Sequence, residues 1–334
     1  MKKQLNKYVL FFFCLLIILS GCSQDFQWTQ GDIIVSGGDE VFIVNPQTKK
    51  VQSIFKKNTF ISEMKYNDKR NSIVLTTKAA SNYYLYEIRS SDINKYEVPP
   101  AHFADSTKNY VVLNSDVIHT DSKGDIQGEW TVYDLAKEDF VLKQKVYGDF
   151  RSIIIYDDKA YISTFGDKKN SSNVYEVDLN HLKWRPIFKQ YQARAPKVLK
   201  SSQTYGLYTH WDFGPSNQLV ELNLNTGKTT PIVNLDSYVW DGIIIGDYAV
   251  VLHFDENGIQ IEPNNHLSII NLKTKEIKKI ENTRIGDLYD LIQYHDKVAI
   301  TDLNGFLHLL DPKTLELESM QINKNGLLNI TSVQ

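Results

Sequence analysis

The sequence predicts an all-β protein built from seven four-stranded units, arranged as the blades of a β-propeller. First, one phrase recurs along the chain: an alternating apolar run, a polar residue, a turn and a second alternating run. Second, the copies lie 40 to 48 residues apart, and repeats of this length are typical of propeller blades. Third, no strong helical periodicity is present between Trp28 and the C-terminus. The polar residues that mark the repeat are Asn45, Arg89, Asp134, Asp178, Asn223, Asn271 and Asp311.

Each copy of the phrase predicts a β-hairpin. The alternation gives two strands with one buried face each, and the links are rich in Asn, Asp, Pro, Gly and Thr, which favour turns. A second hairpin precedes most copies, with predicted turns at Asp157-Asp158, Gly246-Asp247 and His295-Asp296. One unit is therefore four strands in about 44 residues, a length typical of one propeller blade.

The two ends of the chain predict how the ring closes. Residues 32–54 supply only three strands, whereas residues 326–333 form one spare alternating strand. We therefore expect the C-terminal strand to be the innermost strand of the first blade. Pairing the N- and C-terminal strands in one blade removes the open edges that a ring would otherwise leave.

The repeat resembles the blades of YVTN and quinoprotein-like propellers. Those blades also end in an alternating strand, an Asp or Asn, a turn with Thr or Gly and a final strand. WD-repeat proteins are less similar, because no Gly-His or Trp-Asp dipeptide lies at the repeat positions. The resemblance implies the fold and carries no catalytic motif with it.

The N-terminus resembles that of bacterial lipoproteins. Lys2, Lys3 and Lys7 precede an apolar run of 12 residues, 8–19, which is too short for a spanning helix and fits a signal peptide. The run ends in Leu-Ser-Gly-Cys, which is similar to a lipobox. The resemblance implies that residues 1–21 are removed and that Cys22 receives diacylglycerol and fatty acids such as palmitate. An uncleaved anchor or a buried thiol remains the alternative.

This interpretation divides the chain into a signal peptide (residues 1–21), a tether (residues 22–31) and a propeller domain (residues 32–334). It predicts a protein of the cell envelope, held on the extracytoplasmic side of a membrane by the lipid on Cys22. The only other cysteine, Cys14, lies in the apolar run, so the mature chain would contain no disulfide.

Charge and motifs exclude several classes of function. The chain carries 37 Lys and Arg against 40 Asp and Glu, which provides no basic excess for nucleic acid. Loss of residues 1–21 leaves 34 basic against 40 acidic residues, a formal charge of −6. Its eight His show no metal-binding spacing, and no nucleotide or flavin motif is present, so no metal, cofactor or catalytic residue is predicted.

Polar residues at the predicted ends of the second strands form the first candidate site. One interpretation is a polar lip around the channel; the other is that these groups satisfy the backbone of neighbouring loops. The residues are Ser36, Thr76, His119, Ser163, Thr209, His253 and Thr301.

The loops that follow these strands differ most between units, and we expect them to determine partner specificity. The aromatic loop contains Thr209, His210, Trp211 and Asp212, and the long acidic loop, residues 255–265, begins with Asp255 and Glu256. Trp211 is the best single candidate, since an exposed Trp often marks a binding site. The alternative is that these loops are tolerated surface insertions.

A second candidate set lies where the innermost strands begin. If Arg151, Asp241 and Asp290 face the channel, they could bind a cation or a polar ligand, or Arg151 could pair with the two acids internally. The remaining members of the set are Ser62 and Pro196.

The sequence favours non-catalytic binding of a protein, peptide or glycan partner at the loop face. The alternative is an extracytoplasmic propeller enzyme, similar to a lactonase or a quinone-dependent dehydrogenase, with a funnel-shaped active site. A third possibility is a structural part of a larger envelope complex.

Overall fold

The computed structural model describes an all-β chain. Over the described residues it contains 29 strands and no helix, and hence no helix long and apolar enough to cross a membrane. The described residues are 26–79, 82–98, 101–115, 119–120, 122, 126–166, 171–190, 194–199, 204–209, 217–223, 226, 228–235, 238–257, 260–281 and 287–333. Cys22 lies outside them.

The strands form seven antiparallel sheets that follow one another along the chain. The first sheet contains β1 (Ile33–Ser36), β2 (Glu40–Asn45) and β3 (Lys50–Lys56). The second contains β4 (Phe60–Asn67), β5 (Ser72–Ala79), β6 (Asn82–Ile88) and β7 (Ile93–Val98). The third contains β8 (Ala101–Ser106), β9 (Tyr110–Ser115), β10 (His119–Thr120), β11 (Ile126–Asp134) and β12 (Asp139–Tyr147). The fourth contains β13 (Asp149–Tyr156), β14 (Lys159–Gly166), β15 (Ser171–Asp178) and β16 (Lys183–Gln190).

The last three sheets repeat the same order. The fifth contains β17 (Arg194–Leu199), β18 (Thr204–Thr209), β19 (Asn217–Leu222) and β20 (Thr229–Leu235). The sixth contains β21 (Tyr238–Ile245), β22 (Tyr248–Asn257), β23 (Gln260–Asn271) and β24 (Ile277–Glu281). The seventh contains β25 (Leu288–Tyr294), β26 (Lys297–Asp302), β27 (Phe306–Leu310) and β28 (Leu317–Gln321).

The last strand of the chain completes the first sheet, as the sequence predicts. Strand β29 (Asn329–Ser332) pairs antiparallel with β1, and Ile33 lies opposite Ser332. The first sheet therefore has the order β29-β1-β2-β3, and it joins the two ends of the folded chain.

The repeated Asn and Asp residues hold the turns between the third and fourth strands. In six of the seven sheets, the side chain accepts a hydrogen bond from the backbone N–H three residues later, which is the bond of an Asx turn. The N–H groups belong to Thr48, Lys137, His181, Thr226, Thr274 and Thr314. Arg89 is the exception, and there the backbone N–H of Arg89 bonds to the carbonyl of Asp92. The Asn or Asp recurs along the sequence because each copy forms the same local hydrogen bond in its turn.

Consecutive sheets pack through their first strands, here called the inner strands: β29, β4, β8, β13, β17, β21 and β25. Each inner strand contacts the next in this order, and β25 contacts β29. Apolar clusters join neighbouring sheets; in one of them Ala299 and Leu307 of the seventh sheet pack with Ile33 and Phe42 of the first. This arrangement of antiparallel sheets fits a β-propeller.

Part of the predicted tether belongs to the packed body. Phe26 and Trp28 are 7% and 8% exposed and lie in the apolar cluster between the first two sheets. The segment from Phe26 therefore has a fixed position on the protein.

Candidate functional site

The inner strands of several sheets carry a bulge, and this bulge determines which of their residues occupy equivalent positions along the strand. In the second, fourth, sixth and seventh sheets, pairing between the first two strands shifts by one residue at the same place. The first paired residues after the shift are Glu63, Ser152, Asp241 and Asp290. Asp241 and Asp290 are therefore equivalent to each other, as the sequence predicts. Ser62 and Arg151 lie one residue earlier, within the bulge, so the predicted set mixes two positions.

A lysine lies among these acids. Lys65 Nζ is 3.6 Å from Glu63 Oε1, and the Lys65 side chain remains 34% exposed. Burial alone would lower the pKa of Lys65, but the carboxylates of Glu63, Asp290, Asp105 and Asp241 more than offset that cost and raise it. Charged side chains from four sheets thus lie near one another. They are here called the inner-strand cluster: Glu63, Lys65, Asp105, Asp241 and Asp290.

Side chains on the inner strands also bond to the backbone of the next sheet. Asp290 Oδ2 accepts a hydrogen bond of 3.1 Å from the Ile330 N–H, which links β25 to β29. Thr331 Oγ1 accepts one of 3.1 Å from the Tyr66 N–H, which links β29 to β4. Asp105 Oδ2 accepts one of 2.6 Å from the Ile155 N–H, which links β8 to β13. These bonds satisfy backbone groups that the sheet ladders leave free and hold consecutive sheets together.

The acids of the inner-strand cluster accept hydrogen bonds from within the protein. Asp241 Oδ1 accepts a bond of 2.6 Å from the Gly242 N–H, and Asp290 Oδ1 one of 2.8 Å from the Leu291 N–H. Among the described residues, no three His, Cys, Asp or Glu side chains are arranged to hold a metal ion. Glu63 lies within ion-pair distance of Lys65, and Asp105, Asp241 and Asp290 accept hydrogen bonds from backbone N–H groups.

The predicted polar lip is buried where the structure describes its side chains. Ser36, Ser163, His253 and Thr301 have no exposed surface, and Thr76 is 1% exposed. A buried group cannot line an open channel mouth, so for these five residues the lip interpretation is wrong.

The bonds of these residues support the alternative interpretation. Thr301 Oγ1 donates to the carbonyl of Leu328, at 3.1 Å, and Ser36 Oγ accepts from Asn329 Nδ2 at 2.9 Å. His253 Nε2 lies 2.7 Å from Ser268 Oγ, and its ring stacks on that of His266 with the centroids 4.8 Å apart. They hold neighbouring segments together.

His119 does not lie at the end of the second strand, where the sequence predicts it. In the third sheet Asn114 pairs with Trp130 at the end of the second strand, and Asn114 is 3% exposed. His119 begins the additional strand β10 and lies opposite Gln127. Strand β10 is an insertion in the chain between β9 and β11, and it moves His119 away from the end of the second strand.

The candidate partner loops are only partly described. Asp255 and Glu256 lie in strand β22 opposite Glu262 and Ile261, so the expected acidic loop is largely an extension of the β22–β23 hairpin. Thr209 ends β18 and pairs with Arg194. His210, Trp211 and Asp212 lie outside the described residues, as do the side chains of Arg151, Thr209, Asp255 and Glu256.

The seventh sheet contains a hydrogen-bonded relay of three side chains. His308 Nε2 lies 3.0 Å from Asp302 Oδ2, and His308 Nδ1 lies 2.7 Å from Ser319 Oγ. Asp302 and His308 are buried, whereas Ser319 is exposed on the outermost strand. Asp302 is fixed by bonds to its Oδ1 from the N–H groups of Asn304 and Phe306. The relay joins β26, β27 and β28. Its hydrogen bonds also connect a hydroxyl to an imidazole and the imidazole to a carboxylate.

Sequence reasoning missed Glu63, Lys65 and Asp105. The available signal was the i, i+2 spacing of Glu63 and Lys65, which places both on one face of a strand. The relay was also missed, because Asp302, His308 and Ser319 come from three different strands.

Comparison with known proteins supports the fold. No protein-family model and no curated protein matches the sequence. Among solved structures, BamB from Moraxella catarrhalis is similar with a TM-score of 0.55 and 15% identity, over 92% of this chain and 88% of that one. Kuenenia stuttgartiensis hydrazine synthase is similar with a TM-score of 0.57 and 14% identity, over 76% and 77%. A structure of prolyl endopeptidases matches with a TM-score of 0.61 and 12% identity, over 92% of this chain but 50% of that one.

At this level of identity the likeness shows the fold alone. The matched proteins include an endopeptidase and a synthase, so the shared architecture does not select one activity. The class that the sheets and the comparisons define is an all-β protein of propeller type, built from repeated antiparallel sheets.

Proposed function

We propose that the seven sheets close into a seven-bladed propeller of the YVTN or quinoprotein-like type. The pairing of β29 with β1 and the contact of β25 with β29 support closure, because they bring the seventh sheet against the first. The bonds from Asp290 to β29 and from Thr331 to β4 strengthen that junction.

We propose further that this propeller is a lipoprotein of the cell envelope. The lipid on Cys22 holds it on the extracytoplasmic side of a membrane. The support is the positive head, the short apolar run and the Leu-Ser-Gly-Cys sequence, which together match a lipoprotein signal peptide.

The proposed activity is non-catalytic binding of a protein, peptide or glycan by loops on a rigid ring. The observation that carries it is the inner-strand cluster, in which Glu63 pairs with Lys65 and the three Asp side chains accept bonds from backbone N–H groups. An active site needs charged groups that are free to meet substrate, whereas Asp105 and Asp290 join neighbouring sheets. A scaffold of this kind presents variable loops such as the one that contains Trp211.

The anchor is tested with Cys22→Ala. We expect the wild-type protein to sediment with membranes and to incorporate labelled palmitate, and the variant to lose both properties, because the thiol that accepts the lipid is gone. Ser23→Ala is the matched control and should retain both. Unchanged sedimentation and labelling of Cys22→Ala would refute lipidation.

Partner binding is tested by capture from detergent-solubilised envelope with the wild-type protein and with Trp211→Ala. We expect Trp211→Ala to reduce capture without changing the thermal unfolding midpoint, since buried aromatic anchors contribute most to interfaces. Trp184→Ala, which truncates a 37%-exposed Trp on β16, is the control. Equal capture by both variants would remove Trp211 from the site.

The relay of Asp302, His308 and Ser319 favours a hydrolase as the second candidate function. If His308 Nε2–H donates to Asp302, Nδ1 is free to accept the proton of Ser319 as the hydroxyl attacks an ester. A fluorophosphonate probe decides between the two functions. The hydrolase requires a covalent adduct that Ser319→Ala abolishes, whereas the binding function predicts no adduct on Ser319.

A further inference from the structure

The segment that follows the proposed lipid site is docked on one end of the sheets. Trp28 Nε1 donates a hydrogen bond to Asn71 Oδ1, and its ring meets Tyr66 edge-on with centroids 6.1 Å apart. Phe26 packs on Trp28 with centroids 5.4 Å apart. Asn71 lies in the turn between β4 and β5, so both aromatic residues lie at the end of the second sheet where its first two strands meet.

Two further contacts fix the same segment to the same end. Asp32 accepts hydrogen bonds from the Thr29 N–H, at 2.7 Å, and from Asn45 Nδ2, at 2.9 Å. Asn45 begins the turn between β2 and β3. Gly31 lies beside the ring of His295, which an added Cβ would approach to 3.7 Å, and His295 is in the β25–β26 turn.

These three turns belong to one face of the protein. In an antiparallel sheet of four strands, the first and third turns lie at one end and the second turn at the other. Counted from the inner strand of each sheet, the turns at Asn71 and His295 are first turns and the turn at Asn45 is a third turn. This face is here called the anchor face. The second turns of the sheets, which include the connection from β18 to β19, belong to the opposite face.

The chain between the lipid site and the docked segment is short. Cys22 precedes Phe26 by four residues, and an extended chain reaches at most about 3.6 Å per residue, or roughly 14 Å in total. An acyl chain on Cys22 that is buried in a bilayer therefore places the anchor face close to the membrane surface.

We infer that the anchor face lies against a lipid surface, and that the opposite face, with the partner loops, points away from it. This inference rests on the proposed lipidation of Cys22. Strand β26 has six residues, and at about 3.3 Å per residue it separates its two turns by roughly 20 Å. The loop face is thus held out from the membrane, where a partner from the surrounding compartment can reach it.

Surface charge does not set this orientation. Two lysines of the anchor face are paired with acids of the same face: Lys69 lies 3.4 Å from Asp158, and Lys273 lies 2.6 Å from Asp247. Exposed pairs of this kind contribute little free energy, and a formal charge of −6 for residues 22–334 gives no net attraction to anionic lipid. The docked segment and the short chain before it are the cause, so the orientation should persist in neutral lipid and at high salt.

The test uses two single-cysteine variants that mark the two ends of strand β26. Asp296→Cys lies in the β25–β26 turn on the anchor face, and Asn304→Cys lies in the β26–β27 turn on the opposite face; both residues are exposed. The lipidated proteins are labelled with a thiol-reactive fluorophore, which finds no other free thiol once Cys22 is lipidated and Cys14 is removed. They are then placed in phosphatidylcholine vesicles whose headgroups carry a nitroxide quencher.

We expect the label at Asp296→Cys to lose most of its fluorescence and the label at Asn304→Cys to retain it. Quenching at Asn304→Cys, or equal quenching at both positions, in protein that floats with the vesicles would overturn the orientation while the anchor stands. Loss of flotation would overturn the anchor and the orientation with it.

A further variant tests the cause. Phe26→Ala with Trp28→Ala frees the docked segment, so we expect the difference in quenching between the two labels to diminish while flotation is unchanged. Thermal unfolding, compared with Trp184→Ala, checks that the body remains folded. A full difference in quenching in the folded double variant would show that docking does not hold the protein in place.

Discussion

Removal of residues 326–334 is expected to abolish cooperative unfolding of the protein. The deletion removes β29, the inner strand of the first sheet, together with the buried side chains of Leu327, Ile330 and Val333. Burial of such side chains contributes about 1.5–3 kcal/mol each, so their loss approaches the roughly 5–15 kcal/mol that stabilises a whole domain. The exposed edge of β1 would also favour aggregation.

The experiment is thermal unfolding followed by circular dichroism and by intrinsic fluorescence. Deletion of Gln334 alone is the control, because it leaves all of β29 in place, and it should unfold as the wild type does. A normal unfolding midpoint after removal of residues 326–334 would show that β29 is dispensable for the first sheet.

Replacement of Lys65 by Met is expected to destabilise the protein by about 2 kcal/mol at neutral pH. The variant leaves the carboxylates of Glu63, Asp105, Asp241 and Asp290 without their shared cation. Removal of one partner of a fully buried ion pair costs about 3–5 kcal/mol, and the partial exposure of Lys65 reduces that figure. Lys69→Met is the matched control, since Lys69 pairs with Asp158 at the surface, and it should change stability by less than about 0.5 kcal/mol.

The pH dependence of the same variant has a defined sign. Because the pKa of Lys65 is higher in the folded protein than in the unfolded chain, its contribution is fully present below the unfolded pKa of about 10.4. That contribution is lost as the pH rises through the folded pKa. The stability difference between wild type and Lys65→Met, measured by urea unfolding, should therefore be constant from pH 7 to about 9.5 and decrease only above about pH 10.4. A difference that grows in alkali would contradict this assignment.

The repeat could be predicted from sequence because its signal is local. Asn45, Asp134 and Asp311 each cap their own turn, and such a bond needs only the residue and the backbone three positions later. The pairing of β29 with β1 was also predictable, since the first unit lacks one strand and the last residues supply one.

Asp241 and Asp290 could be predicted as one set, but Glu63 could not be added to it, because a one-residue bulge precedes each of these positions. The shift between Ile61 and Glu63 sets which side chains reach the same level, and alternation of apolar residues does not reveal it. The comparison of the repeats therefore grouped Ser62 and Arg151 with Asp241 and Asp290. The extra strand β10 misplaced His119 in the same way, since an insertion between strands cannot be distinguished from a loop by periodicity.

The closed ring of seven sheets is tested most directly by distances between spin labels on the outer strands. Lys50, Asp92 and Glu316 lie just before or at the start of the outer strands of the first, second and seventh sheets, and all three are exposed. In a ring, the first sheet is the neighbour of both others, so we predict similar distances for the Lys50→Cys/Asp92→Cys and Lys50→Cys/Glu316→Cys pairs. In an open stack with about 10 Å between sheets, the second pair would be separated by roughly 60 Å, and that result would contradict the propeller.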